Sequence, residues 1–368
     1  MSAKHFIYPG SFSPPTYGHL EIVRLAAEVF PEVFVVCSRN PDKNSWFSTE
    51  KCVRLWSAYE LPKNVSVMTF DEAVCHGVDP KETIMIRGLR NEKDLEDETK
   101  VLLSNWRNLG INKFYFQITS PEFKETSSSA ARLAAINLDW QTLARNLAPL
   151  VVSAILERAL NLEHVFMVVG KPASGKSTWL RALATEDPRN VVVNTDDFNH
   201  CLRAELERTF GTSDLIGLAE RDEESLKAAI VKPWFTLLSE AVRSAPANTR
   251  LFVEVPYGMQ ADKLLFRYLG GKIIYVGCED EGENLRRAIA RGTSNLIGFI
   301  SRIPDWKETL RLAEEHRLCL ARVKTNGDLK DTVCSAQVFN QTLNNKKEIN
   351  SWTTSRAWKK DGLLWWSN

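Results

Sequence analysis

Residues 8–23, YPGSFSPPTYGHLEIV, set a run of turn-forming residues and one histidine directly in front of a helical pattern. Gly10 lets the backbone turn where a Cβ would clash, and Gly18 lets a ligand approach the chain closely. The helix is expected to begin near His19, so its unpaired N–H groups point back at the end of the preceding strand, a natural phosphate site. Thr16 and His19, three apart at that helix start, can both face an anion. Read in isolation, the same histidine is also an ordinary capping or packing residue, and its neighbours along the chain have to decide between the two.

Strands and helices alternate around this stretch. HFIYPG (5–10), EVFVVCS (32–38), VSVMTF (65–70), TIMIRG (83–88) and KFYFQITS (113–120) read as strands. HLEIVRLAAEVF, STEKCVRLWSAYEL, EKDLEDETKVLLSNWRNLG, SSSAARLAAI and APLVVSAILERALNLE read as the helices between and after them. That alternation predicts an α/β fold with a doubly wound parallel sheet. At HVFMVVG (164–170) the pattern restarts, with later strands NVVVNT, RLFVEVPYG, KIIYVGC and CLARVKTNG. The expected organisation is a first domain over 1–160, a second parallel α/β domain over 163–343, and a tail over 344–368 holding four of the eleven tryptophans. Docking of that tail onto the body is the plainer reading, and a partner surface the sharper one.

Bulk properties narrow the function. A chain of 368 residues suits two cores rather than one. A net charge of +1 argues against a general electrostatic grip on nucleic acid or an anionic membrane. The seven cysteines form no CxxC pair, so neither a disulfide framework nor a zinc site is expected. No apolar run approaches the roughly 18 residues that cross a bilayer, and a cytoplasmic location is expected.

In a parallel α/β sheet the loops after the strands gather at the carboxyl edge, where ligands bind. Lys43 follows the second strand, Arg87 and Arg90 follow a later one, and Ser127, Ser128 and Ser129 open a helix. Cations and hydroxyls with no evident nucleophile suit phosphate-group transfer by positioning and charge neutralisation. Here the motifs become specific. YPGSFSPPTYGHLEIV resembles the signature of the nucleotidyltransferase superfamily, with Thr16-x-Gly18-His19 in the place of its T/HxGH motif. NPDKNSWFSTEKCV, IRGLRNEKDLEDE and SSS resemble phosphopantetheine adenylyltransferase, in order and at similar spacing, over nearly all of residues 4–158. The resemblance implies that Ser11, Lys43 and Arg87 hold the acceptor phosphate. It also implies that His19, Thr16, Arg90 and Ser127 to Ser129 bind the ATP phosphates. Ser11 and Glu98 help to bind ATP, and Asn105 contacts the pantetheine arm. His19 would stabilise charge at the α-phosphorus, and Mg2+ would accompany ATP. Two departures stand out: Ser13 replaces the usual acid between Phe and Pro, and EAVCHGVDPKE replaces an apolar segment.

In the second half, GKPASGKS (170–177) satisfies GxxxxGK[ST] between a strand and a helix. Backbone N–H groups would cradle phosphates, Lys176 would reach the β and γ positions, and Ser177 would hold Mg2+. Gly170, Ser174, Gly175 and Thr178 complete the expected ATP-binding set. Asp196 ends the NVVVNTDD strand, where a carboxylate can take a proton from an acceptor hydroxyl. Arg286, Arg287 and Arg291 lie on one charged stretch suited to a closing segment or to a solvated face. This half resembles small-molecule P-loop kinases and fits dephospho-CoA kinase over roughly residues 165–335. That resemblance implies Asp196 as base toward a ribose 3'-hydroxyl and Arg291 in the lid. A polynucleotide 5'-kinase resemblance is open for the same motifs.

Joined in this order, the halves resemble fused CoA synthases, giving dephospho-CoA and then CoA. Nicotinamide mononucleotide adenylyltransferase fused to ribosylnicotinamide kinase is the alternative of the same architecture, and a nucleotide-sensing scaffold is the non-enzyme reading. The expected partners are ATP and a phosphopantetheine-type or nicotinamide nucleotide acceptor, with no membrane and no nucleic acid; a homo-oligomer would form through the first domain.

Overall fold

The computed structural model describes residues 4–39, 44–90, 92–194, 203–204, 206–213, 236, 238–255, 271–278, 281–290, 303–325, 329–344, 358–360 and 363–366. Its contacts divide the chain into two compact units, Met1–Val151 and Val152–Asn368.

The first unit is built on five parallel strands: β1 (His5–Gly10), β2 (Val33–Cys37), β3 (Val65–Thr69), β4 (Thr83–Leu89) and β5 (Lys113–Ile118). They lie in the order β3-β2-β1-β4-β5. Each is a short β-branched or aromatic run, the composition a buried parallel strand needs. Helices α1 (Tyr17–Val29), α2 (Thr49–Trp56), α3 (Phe70–Cys75), α4 (Glu92–Leu109), α5 (Ser128–Asn137) and α6 (Trp140–Asn146) complete the unit. Helix α7 (Pro149–Ala159) spans the division between the units. Strand order reverses between β1 and β4, so the crevice above their carboxyl ends is where a ligand belongs. Helix α1 begins at Tyr17, earlier than the expected start near His19, because Thr16 supplies the N-cap.

The second unit carries β6 (His164–Val169), α8 (Lys176–Glu186), β7 (Asn190–Val193), β8 (Arg250–Glu254) and β9 (Lys272–Gly277). Helices α9 (Glu281–Ala290) and α10 (Trp306–Glu315), β10 (Cys319–Lys324) and α11 (Leu329–Asn344) follow. Strands β10-β9-β6-β8-β7 are parallel neighbours in that order, with β6 at the centre. On one face, alternate residues Phe166, Val168, Phe252, Ile274, Val276, Ala321 and Val323 are buried under Trp179 and Leu183 of α8 and Phe339 of α11. Phe166 and Phe252 stack at 5.0 Å, and Trp179 meets Phe339 edge-on at 5.2 Å. The tail adds what the alternating pattern did not announce. β11 (Trp358–Lys360) and β12 (Leu363–Trp366) form an antiparallel pair, and β12 pairs antiparallel with β10, extending the sheet to seven strands.

The amino edge of this sheet is tied by Arg250, which is 1% exposed at the first position of β8. Its guanidinium donates to Glu163 at 2.9 and 3.2 Å, to Asn340 at 3.1 Å and to Asn344 at 2.7 Å. Asp187 lies 3.6 Å away, and its hydrogen bonds from Arg189 hold its carboxyl below the usual carboxylate range. One cation therefore joins the start of β6, the approach to β7 and the end of α11. Removing it leaves the buried Asp187 and the half-buried Glu163 with Arg189 alone among the described residues to offset them. Arg250→Ala is expected to destabilise the second unit by about 3–5 kcal/mol, read as a lower urea midpoint for that unit with the first unit's transition unmoved. A loss below about 1 kcal/mol would show that the network contributes little.

Candidate active sites

In the first unit, an open cleft of ≈ 370 Å³ lies over the ends of β1 and β4 and the start of α5. Ser11, His19, Arg87, Arg90, Glu98, Ser127, Ser128 and Ser129 line it together. Thr16, the expected ATP-binding neighbour of His19, does not: it is fully buried behind the histidine. Its backbone N–H donates to His19 Nδ1 at 3.0 Å, its hydroxyl lies 2.9 Å from the same nitrogen, and the His19 N–H donates to Thr16 Oγ1 at 3.4 Å. This is a capping box in which imidazole takes the place of the usual Glu or Gln. Because Nδ1 accepts from a backbone N–H, the neutral ring carries its proton on Nε2. Capping and chemistry are thus compatible uses of one residue.

The ring is held on its other side by Phe12, edge-on at 5.2 Å and 2% exposed. Phe12 itself adopts φ 42°, the left-handed region that a bulky side chain seldom enters. Gly10 makes that placement possible, since a Cβ there would sit 2.7 Å from the Phe12 ring. Gly18 is needed for a different contact from the one expected: a Cβ would meet Thr126 at 3.3 Å, so chain packs close to it as well as cleft.

The two arginines are paired rather than bare. Arg87 donates to both oxygens of Glu98 at 2.5 and 2.6 Å and to the Pro9 carbonyl at 2.9 Å. Arg90 donates to both oxygens of Asp94 at 2.8 and 2.9 Å. Forked pairs of this kind fix the guanidinium planes as well as their charge. Tyr8 lines the cleft beneath them, its phenol pushed well up by burial. The serines divide their tasks: Ser127 caps α5 through Ala130 N–H, Ser128 donates to the Pro14 carbonyl at 2.7 Å, and Ser129 accepts from Arg132 at 3.0 Å. Arg132 is a cleft residue that the sequence reading passed over; its position one turn after Ser128 was the available signal. Asn105 is not brought into the cleft, and its amide instead lies 3.3 Å from Met85 Sδ. Lys43 lies outside the described residues.

Ser13 proves to be a scaffold position. It is 1% exposed and does not line the cleft. Its hydroxyl accepts the N–H groups of Trp46 at 2.9 Å and Phe47 at 3.1 Å, and its carbonyl accepts from Arg132 at 2.8 Å. A short side-chain acceptor at this position thus holds the 44–47 turn.

In the second unit, the loop after β6 makes two turns that only glycine suits. Gly170 has φ +143°, and a Cβ there would fall 2.1 Å from the Val276 carbonyl oxygen. Gly175, φ +90°, is the N-cap of α8. Lys176 is 3% exposed and its Nζ donates to the Gly170 and Lys171 carbonyls at 2.7 and 3.0 Å, curling the loop around its own ammonium. Ser174 is 1% exposed, and its Oγ has no hydrogen-bond partner among the described residues. Ser177 is exposed and Thr178 half-buried in the first turn of α8. Glu254, 4% exposed at the end of β8, places Oε1 3.9 Å from Lys176 Nζ. Sequence reasoning missed it, although it is the one acid in β8 and closes the apolar run 251–253. Asp196 and Arg291 lie outside the described residues. Arg286 and Arg287 both pair with Glu283 of their own helix, at 2.9 Å each.

Comparison with known proteins gives each unit a separate likeness. The Cytidylyltransferase-like family matches residues 7–134, and an AAA domain matches residues 165–253. Phosphopantetheine adenylyltransferase of Aquifex aeolicus is 35% identical over 135 residues, covering 35% of this chain and 81% of that protein. The enzyme of the same name from Mannheimia succiniciproducens is 33% identical over 159 residues, covering 42% of this chain and 98% of that protein. That of Geobacter metallireducens is 37% identical over 135 residues, covering 36% and 82%. Among solved structures, NadR protein in complex with NR matches at 15% identity and a TM-score of 0.32, covering 93% of this chain and 96% of that one.

The scaffold assignment of Ser13 has a direct test. Ser13→Ala strands two backbone donors and is expected to cost about 1–3 kcal/mol of stability, measured by chemical denaturation. An unchanged midpoint would mean that the 44–47 turn does not depend on this hydroxyl.

Proposed function

The chain belongs, through its first unit, to the cytidylyltransferase-like family, and from that premise we propose a bifunctional ATP-dependent enzyme that completes coenzyme A. The first unit transfers the adenylyl group of ATP to 4'-phosphopantetheine, and the second phosphorylates the 3'-hydroxyl of the resulting dephospho-CoA. The observation that carries the first step is the likeness to phosphopantetheine adenylyltransferases over 81–98% of their length, on a unit whose cleft gathers His19, both arginines and the serine turn.

In this reading a phosphate oxygen of the acceptor attacks the α-phosphorus, the bond to the bridging oxygen breaks, and pyrophosphate leaves. Nothing in the cleft needs to form a covalent intermediate. His19, with its proton on Nε2, donates to the oxygen on which charge grows; Thr16 and Phe12 hold the ring so that no reorientation accompanies the step. Arg87 faces the acceptor phosphate and Arg90 the leaving pyrophosphate, each held in orientation by its carboxylate.

For the second step, the P-loop is the support. The unpartnered Ser174 hydroxyl and the buried Lys176 lie on a loop shaped for phosphate. The Ser177 hydroxyl in the first turn of α8 and the Glu254 carboxylate at the end of β8 are the hard oxygen donors that would hold Mg2+. When present, Mg2+ would supply neutralisation of phosphate charge. Asp196 is the proposed base, and Arg291 the proposed lid residue.

Incubation with ATP and 4'-phosphopantetheine, nicotinamide mononucleotide, nicotinamide riboside or a 5'-hydroxyl oligonucleotide, followed by mass analysis, tests the proposal. Dephospho-CoA and then CoA are expected; turnover of only the nicotinamide compounds or the oligonucleotide would overturn it. His19→Ala is expected to lower the first step alone by about 10²–10³-fold in kcat, and Lys176→Ala to remove the second alone. Loss of both steps from either substitution would contradict two independent sites.

A further inference from the structure

At the carboxyl edge of the second sheet, one residue that follows β10 uses every polar atom it has. Thr325 is 1% exposed. Its N–H donates to the Gly277 carbonyl at the end of β9, at 3.1 Å. Its hydroxyl donates to the Ser174 carbonyl, at the turn of the phosphate loop, at 2.5 Å. Its own carbonyl accepts from Arg287 of α9 at 3.4 Å and from the Cys278 thiol at 3.4 Å. The side-chain methyl fills the space beside Gly175, 3.2 Å from where a Cβ would stand. Three elements that meet at the phosphate loop are therefore held by a single side chain and its peptide groups.

We propose that Thr325 is the positioning residue of the second unit's phosphate loop: its hydroxyl pins the Ser174 carbonyl outward, so that the N–H groups of the peptides that follow face the bound triphosphate. A peptide plane has one orientation for its C=O and the opposite one for its N–H. Fixing the carbonyl of Ser174 thus fixes the N–H of Gly175, the residue that starts α8. Without the hydroxyl, the Ser174–Gly175 peptide is free to turn, and the loop loses pre-organisation for phosphate rather than its fold. Ala173 and Gly175 on either side of Ser174 both have positive φ, so the turn of the loop is concentrated at the carbonyl that Thr325 holds.

The inference rests on ATP binding by the second unit and not on the acceptor proposed above. Binding of a fluorescent ATP analogue is measured on the full chain, taking the part lost in Lys176→Ala as the second-unit site. Thr325→Val, which keeps the shape and removes the donor, is expected to weaken that part about tenfold. Thr325→Ser, which keeps the donor and removes the methyl, is expected to stay within about threefold. The binding that survives in Lys176→Ala serves as the internal control and is expected to be unmoved by either. If Thr325→Val binds like the parent, or Thr325→Ser is as weak as Thr325→Val, the hydroxyl does not position the loop. Should Thr325→Val fail to fold, Thr325→Cys, a poor donor, takes its place with the same expected direction, and unchanged binding overturns the proposal. If the parent and Lys176→Ala bind alike, the second unit does not bind ATP at this loop, and the proposal falls with that premise.

Discussion

A single hydrogen bond, from the Thr16 peptide N–H to His19 Nδ1, governs the first unit. It closes the capping box that starts α1, so it decides where the helix begins and which way its first peptides face. It also settles the tautomer of the imidazole, and with Phe12 against the ring it settles the plane. Phe12 reaches that position only through a left-handed backbone, and the backbone only through Gly10. The strand end, the turn and the helix start are consequences of holding one ring still.

Both units reach a phosphate-directed edge by the same geometric route, although they share no sequence repeat. A parallel sheet sends all its carboxyl ends to one side, and a reversal in strand order opens a crevice there. The first unit lines the crevice with a capped helix, forked arginine pairs and a serine turn. The second lines it with a glycine loop wrapped around a buried lysine. In each case a charged or polar side chain at that edge is held by a partner one step away: His19 by Thr16, Arg90 by Asp94, Lys176 beside Glu254. At the opposite edge of the second sheet, Arg250 does the corresponding task for the strand starts.

Much of this was legible in the sequence because burial writes itself into composition. Most of the ten parallel strands are compact β-branched or aromatic runs, and each lies within a stretch the alternation marks as a strand. Helix α6 was not legible: its seven residues are too few to show a period, and its start depends on the Asp139 cap alone. The β11–β12 hairpin was hidden in a stretch whose tryptophans suggest burial without saying on what. The cleft was legible as a set of residues, since loops after parallel strands must converge. Orientation was not: nothing in the spacing of Thr16 and His19 says that the hydroxyl faces the ring, nor that Asn105 turns toward Met85. Arg132 and Glu254 went unread because each is one charged residue in an ordinary context, given meaning only by Ser129 and Lys176 in three dimensions. Ser13, a departure from the family pattern on paper, became intelligible once its two backbone donors were in view.

The forked pairs Arg87–Glu98 and Arg90–Asp94 bear on which anions can enter at all. A cleft with bare guanidinium groups would collect whatever small anion is abundant. Here each guanidinium already has a carboxylate matched to it, so an entering phosphate gains only the difference between two good partners. The acids of α4 thereby set what any entering anion must outmatch to take either guanidinium.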